Sequence, residues 1–236
     1  MKKWIIWMGL ALFPGLYSCT DDNLNGAVML DNKFEQTVEG WAAGFAEYSS
    51  ATDSASLEKA AGRARLPAVL DSTIYGFKIQ SHNRSDDMFM YLKRKISGLT
   101  PNGNYNVVFD ITLGTPYTDK GIGAGGSQGG ATYIKAGASN KEPVATLTSG
   151  FYSFNLDKGN QSENGKEMVV LGNISNGLEA DGYKLVQRSN GGAPVPVTAN
   201  ANGEIWLCVG TDSGFEGLTV LYYDRIRTTI IERTAN

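Results

Sequence analysis

YNVVFDITL, residues 105–113, decides the fold. Its odd positions, Tyr105, Val107, Phe109, Ile111 and Leu113, are all apolar, and its even positions are mostly polar. A repeat of two sends alternate side chains to opposite faces of an extended chain, so this run predicts a β-strand with one buried face. Tyr75, Phe77 and Ile79 alternate in the same way with Gly76, Lys78 and Gln80. From Met88 to Ile96 every even position except Arg94 is apolar, while Phe89, Tyr91, Lys93 and Lys95 form a second face. Further strand-like runs are 132–136, 151–156, 168–171, 183–187, 205–209 and 218–231.

Turn chemistry separates these runs. Pro101-Asn102-Gly103-Asn104 and Asn202-Gly203 are strong turn signals, and Asn164-Gly165 and Gly191-Gly192 act similarly. Only Ser54 to Arg65, SASLEKAAGRAR, reads as helical, and Gly62 weakens it. Many short strands joined by Gly/Asn turns, with little helix, predict an all-β sandwich or barrel. Residues 34–236 are read as one such domain, long enough to build a sizeable core.

GIGAGGSQGG, residues 121–130, satisfies G-x-G-x-x-G through Gly121, Gly123 and Gly126. In a dinucleotide-binding unit those glycines join a strand to a helix whose N-terminal amides face the phosphates. Here the run leads into Ala131-Thr132-Tyr133-Ile134-Lys135, which is strand-like. The expectation is a surface loop and no nucleotide.

The chain opens MKKWIIWMGLALFPGLYSC. Lys2 and Lys3 followed by a short apolar run fit a signal peptide over residues 1–18, because a permanent span needs about 20 apolar residues. Leu16-Tyr17-Ser18-Cys19 resembles a bacterial lipobox, which implies diacylation (palmitate) of Cys19 as the mature N-terminus and anchoring in the cell outer membrane. Thr20-Asp21-Asp22-Asn23 resembles the acidic surface-export signal of Bacteroidota lipoproteins, which favours exposure at the cell surface. Residues 19–33 are polar and aperiodic, and read as a tether. Net charge is −3 with no basic cluster, so no footprint for nucleic acid is expected. Cys208 reads as a small buried hydrophobe, and the single histidine, His82, excludes sites that need several.

Phe34-Glu35 with Glu39-Gly40-Trp41, then Leu99-Thr100-Pro101 running to Tyr105 and Val107, then Leu221-Tyr222-Tyr223-Asp224-Arg225-Ile226, resemble successive strands of galactose-binding-like jelly rolls and carbohydrate-binding modules. The runs 85–94, 134–138, 157–162 and 210–217 resemble a family of bacterial secreted proteins and lipoproteins; that likeness covers roughly residues 34–232 and supplies no activity. Together these resemblances imply a jelly-roll β-sandwich.

Two loops carry candidate sites. Asp212, Ser213 and Glu216 in GTDSGFEG, residues 210–217, offer hard oxygen ligands, and Asp224 can join them. That set suits a structural calcium ion, and the alternative is a glycine turn capped by Asp212. His82, Asn83, Arg84, Asp86 and Asp87 group donors and acceptors, while Trp41, Phe45 and Tyr48 could supply the aromatic plate that a sugar's apolar face needs. The alternative there is a polar connection with an Arg84–Asp86 surface pair. No motif selects a catalytic carboxylate pair, and no nucleophile elbow is present. The reading is a lipid-anchored envelope protein that binds glycan or another surface ligand. A polysaccharide-acting hydrolase and an adhesive protein with a protein partner are the alternatives.

Overall fold

The computed structural model describes residues 26–233. Residues 1–18 and Cys19, on which the signal-peptide and lipidation readings fall, lie outside them. Fifteen strands follow in chain order. They begin with β1 (Ala27–Asn32), β2 (Ala42–Ala46), β3 (Tyr48–Ser49), β4 (Ala60–Arg65) and β5 (Tyr75–His82). Next come β6 (Phe89–Ile96), β7 (Asn104–Thr115), β8 (Thr132–Ser139), β9 (Ala145–Thr148) and β10 (Phe151–Phe154). The last are β11 (Met168–Asn173), β12 (Lys184–Ser189), β13 (Val195–Thr198), β14 (Ile205–Ser213) and β15 (Leu218–Glu232).

A 7-stranded antiparallel sheet runs β12-β7-β15-β5-β4, with β1 paired to β15 and β13 to β7. A 5-stranded sheet runs β11-β8-β14-β6-β2. The chain crosses directly between them at β1–β2, β5–β6, β6–β7, β7–β8, β11–β12, β13–β14 and β14–β15, which makes the domain a jelly-roll β-sandwich. The alternation in β7 behaves as its sequence demands: Val107, Phe109, Ile111 and Leu113 are buried, and meet Ile134, Ala136, Leu207 and Val209 from the opposite sheet. Each such side chain contributes about 1.5–3 kcal/mol by leaving water.

A third element, the 3-stranded sheet β3-β10-β9, covers part of the outer face of the smaller sheet. Phe89 and Tyr91 therefore pack on Phe154, Leu156 and Met168, so β6 is buried on both faces. Cys208 is fully buried in this second cluster, where burial pushes its thiol pKa up. Gly210 makes the approach possible, since a Cβ there would lie 2.6 Å from the Phe89 ring.

Three expectations need correction. Residues 27–32 are not tether but strand β1, in register with β15 from Ala27 opposite Ile231 to Asn32 opposite Ile226. The stretch 54–65 is not helical, because its second half is edge strand β4, where Arg63 and Arg65 stack on Tyr75 with guanidinium carbons 3.4 and 5.0 Å from the ring centre. Gly210 to Ser213 belong to β14 rather than to a loop.

Candidate functional site

The polar loops singled out in the sequence are gathered at one end of the sandwich, and most of their polar groups are consumed in holding it together. Asn83 is buried. Its amide nitrogen donates to the carbonyls of Ser213 at 2.8 Å and Phe215 at 3.0 Å, and its Oδ1 accepts from the Ser85 and Met88 amides. His82 Nδ1 lies 2.9 Å from Glu58, and Arg84 donates to the Ser56 carbonyl instead of pairing with Asp86. The glycine loop docks on the same end, with the Glu216 amide donating to Ala124 O and the Gly214 amide to Ala131 O. It leads into β8, a strand, so the helix a dinucleotide fingerprint needs does not follow it.

Of the aromatic residues expected beside this loop, Tyr48 lies near it, since Glu47 O accepts a hydrogen bond from Ser85 Oγ, whereas Trp41 is turned into the core. Trp41 is 2% exposed, and its indole nitrogen donates to Asn32 Oδ1. Tyr48 is stacked on Tyr152 at 4.8 Å and accepts a hydrogen bond from Lys59. The calcium set is not assembled either. Asp212 is fully buried between two ammonium groups, Lys158 Nζ at 2.7 Å and Lys135 Nζ at 3.0 Å from its Oδ2. Glu216 is exposed and Asp224 lies on β15 in the other sheet. Among the described residues no group of three His, Cys, Asp or Glu side chains is placed to hold a metal ion.

A different place has the geometry of a binding surface. A depression of about 310 Å³ opens on the larger sheet where β12, β7 and β15 run side by side, lined among others by Asp110, Thr112, Gln187, Ser189, Arg225 and Arg227. A bulge in β15 creates it. Tyr223 pairs with Leu113, but it is Arg225 that pairs with Thr112, so Asp224 is an extra residue and the alternation is rephased there. Before the bulge, Leu221 and Tyr223 point into the core; after it, Ile226, Thr228 and Ile230 do. Arg225 and Arg227 are thereby turned outward, opposite Thr112 and Asp110. Gln187 and Ser189 complete the same two rows on β12.

Short side chains, Thr112 and Ser189, floor the depression, and long planar ones wall it. Arg225 is held by Asp31, whereas Arg188, opposite core-facing Ile111, turns to the other face and donates to the carbonyls of Asn173 and Ser175. The pairing keeps the Asp31 carboxyl below the usual carboxylate range. Arg227, Asp110 and Gln187 bond through their side chains to none of the described residues, and so keep their donors and acceptors for solvent or a ligand. The next row along the face is apolar: Leu185 and Tyr222 flank Gly114, and the Tyr222 ring meets the edge of Tyr183 at 5.8 Å. Sequence reasoning missed this surface because polar residues at outward strand positions look the same whether they meet water or a ligand. The one available signal was the shift of inward residues from odd positions (221, 223) to even ones (226, 230).

No family model matches the chain, and no curated protein matches it in sequence. Among solved structures it is similar to the enzymatically active domain of tailspike protein 4 of bacteriophage CBA120, with 9% identity over 83% of this chain and a TM-score of 0.36. The chain spans only 20% of that tailspike's length. It is also similar to a carbohydrate-binding module solved with β-1,4-galactotriose, at 13% identity, 81% of this chain, 89% of that one and a TM-score of 0.35. A third is a module that recognises mannan, at 12% identity, 89% of this chain, 99% of that one and a TM-score of 0.38.

Proposed function

We propose that the protein is a lipid-anchored glycan-binding module of the cell envelope, with the sugar seated on the β12-β7-β15 face. The observation that carries this reading is the depression itself. Planar donors on Arg227 and Arg225, acceptors on Asp110 and both on Gln187 match the vicinal hydroxyls of a pyranose. The adjoining Tyr222 and Leu185 offer the apolar contact that the sugar's C–H face requires. Ligand sites of this size usually combine such an apolar contact with a few convergent polar groups.

Asp110 is the one carboxylate in the lining, whereas glycoside hydrolysis generally uses two flanking the bond, so binding is better supported than turnover. Anchoring through a diacylated Cys19 would place this face a short tether away from the outer membrane, since β1 starts at Ala27.

A glycan array probed with the full chain tests the reading. Binding of a defined oligosaccharide, lost in Arg227→Ala and Tyr222→Ala but kept in Arg84→Ala, supports it. An array with no binder, or binding indifferent to both substitutions, contradicts it. For the anchor, Cys19→Ala should abolish fatty-acid labelling; a variant that still labels and fractionates with the outer membrane overturns that part.

A further inference from the structure

The cluster beneath the 157–165 loop is unused by the glycan-binding reading, and its chemistry is unusual for a structural ion pair. We propose that Lys135 and Asp212 form an intramolecular isopeptide bond in the folded protein, an amide between Nζ and Cγ, with Asp87 relaying the proton.

Both partners are fully buried, and they come from neighbouring strands, β8 and β14. Lys135 Nζ stands 3.0 Å from Asp212 Oδ2 and donates to the carbonyls of Lys158 at 2.6 Å and Glu163 at 3.0 Å. Two of the ammonium hydrogens are thus committed to carbonyls, and the third is left for Asp212. When the proton toward Asp212 moves onto the carboxylate, the two carbonyls hold the remaining hydrogens and the freed lone pair faces Asp212. Burial favours that neutral amine, and the positive charge of Lys158 works in the same direction.

The acid is present too. Asp212 Oδ1 and Asp87 Oδ1 are buried with no hydrogen-bond partner, although carboxylate oxygens in such a place would normally be satisfied. A single proton shared between the two carboxyls satisfies both. Burial of Asp87 favours that protonated form, raising its pKa to about 7, with the neighbouring Asp212 adding to the shift.

The step balances without any co-reactant. Lys135 gives one proton to Asp212 Oδ2, and its lone pair forms the N–C bond at Cγ. Asp87 protonates the resulting oxyanion on Oδ1, recovers a proton from the nitrogen, passes one to the leaving hydroxyl on Oδ2, and takes back the Oδ1 proton as the C=O bond re-forms. The Cγ–Oδ2 bond breaks, one water departs, and Asp87 ends protonated as it began. Groups held in contact by a fold react with effective concentrations of about 10⁵–10⁸ M, which offsets the cost of condensation in water. Phe89, directly opposite Asp212 on β6, and the overlying loop limit return of water.

Mass spectrometry of the denatured full-length chain, followed by proteolytic mapping, decides the matter. The proposal expects a mass lower by one water and a branched peptide joining the segments of Lys135 and Asp212. Asp87→Asn should slow or abolish the loss, and Lys135→Arg should prevent it. Where a variant does not fold, the wild-type map decides alone. An unbranched Lys135 peptide at full mass overturns the proposal, and so does a branch located at Lys158.

Discussion

Arg225 grips Asp31 through two hydrogen bonds of 2.6 Å, joining the closing strand β15 to the first strand β1 at the edge of the depression. The parallel geometry fixes the guanidinium plane as well as its position. Both groups remain partly exposed, so the pair is screened by solvent and adds little to global stability. Its value lies in orientation. Asp31→Ala should leave the melting temperature near that of the wild type, while glycan affinity drops severalfold in calorimetric titration. Unchanged affinity would show that Arg225 needs no such support.

Asp212 makes the opposite case. Before any link to Lys135 forms, its fully buried side chain is the shared counter-charge of Lys135 and Lys158. Removing one member of a buried ion pair leaves charge stranded in a poor solvent and costs about 3–5 kcal/mol. Asp212→Ala should therefore destabilise the fold by about that amount in urea denaturation. A loss within the usual range of surface substitutions would mean that the cluster is hydrated or already neutral.

Asp87 links stability to pH. Burial is the main cause that raises its pKa from 3.8 to about 7, so between those values the folded chain binds more protons than the unfolded one. Stability then falls as pH rises through that window, because the slope follows the unfolded-minus-folded difference in bound protons. Thermal melts from pH 5 to pH 8 should show this decline, and Asp87→Asn should flatten it. A variant whose slope equals that of the wild type would place the titration elsewhere.

The strands that cross the core announce themselves in the sequence because each has one face against the opposite sheet. Tyr105 to Leu113 and Leu218 to Ile231 are examples, and the turn at Asn102 takes the positive φ, 57°, that Asn-Gly sequences favour. Edge and short strands carry no such period. Ala27–Asn32 is exposed over most of its length and is held by its ladder to β15, a contact with no local signature. Ala60–Arg65 is built from good helix formers, yet pairing with β5 overrides that propensity.

The candidate site was less legible. Lys135 alternates with Ile134 and Ala136 like a solvent-facing residue, and only the layer over the smaller sheet buries it. Asp212 reads as a loop ligand until β14 is seen to continue through Ser213. Arg227 and Asp110 become neighbours only through the β7–β15 register, which the Asp224 bulge shifts. These relationships depend on contacts between separate segments of the chain, Asp110 with Arg227 and Lys135 with the loop that holds Lys158 and Glu163, and no local pattern encodes them.

The glycan-binding face is tested most directly by amide chemical-shift mapping of the protein titrated with the oligosaccharide it selects. The account predicts saturable shifts centred on Asp110, Thr112, Gln187, Arg225 and Arg227, with Tyr222 at their border. Shifts confined to the end of the sandwich around His82, Gly121 and Glu216, with the β12-β7-β15 face unchanged, would contradict it.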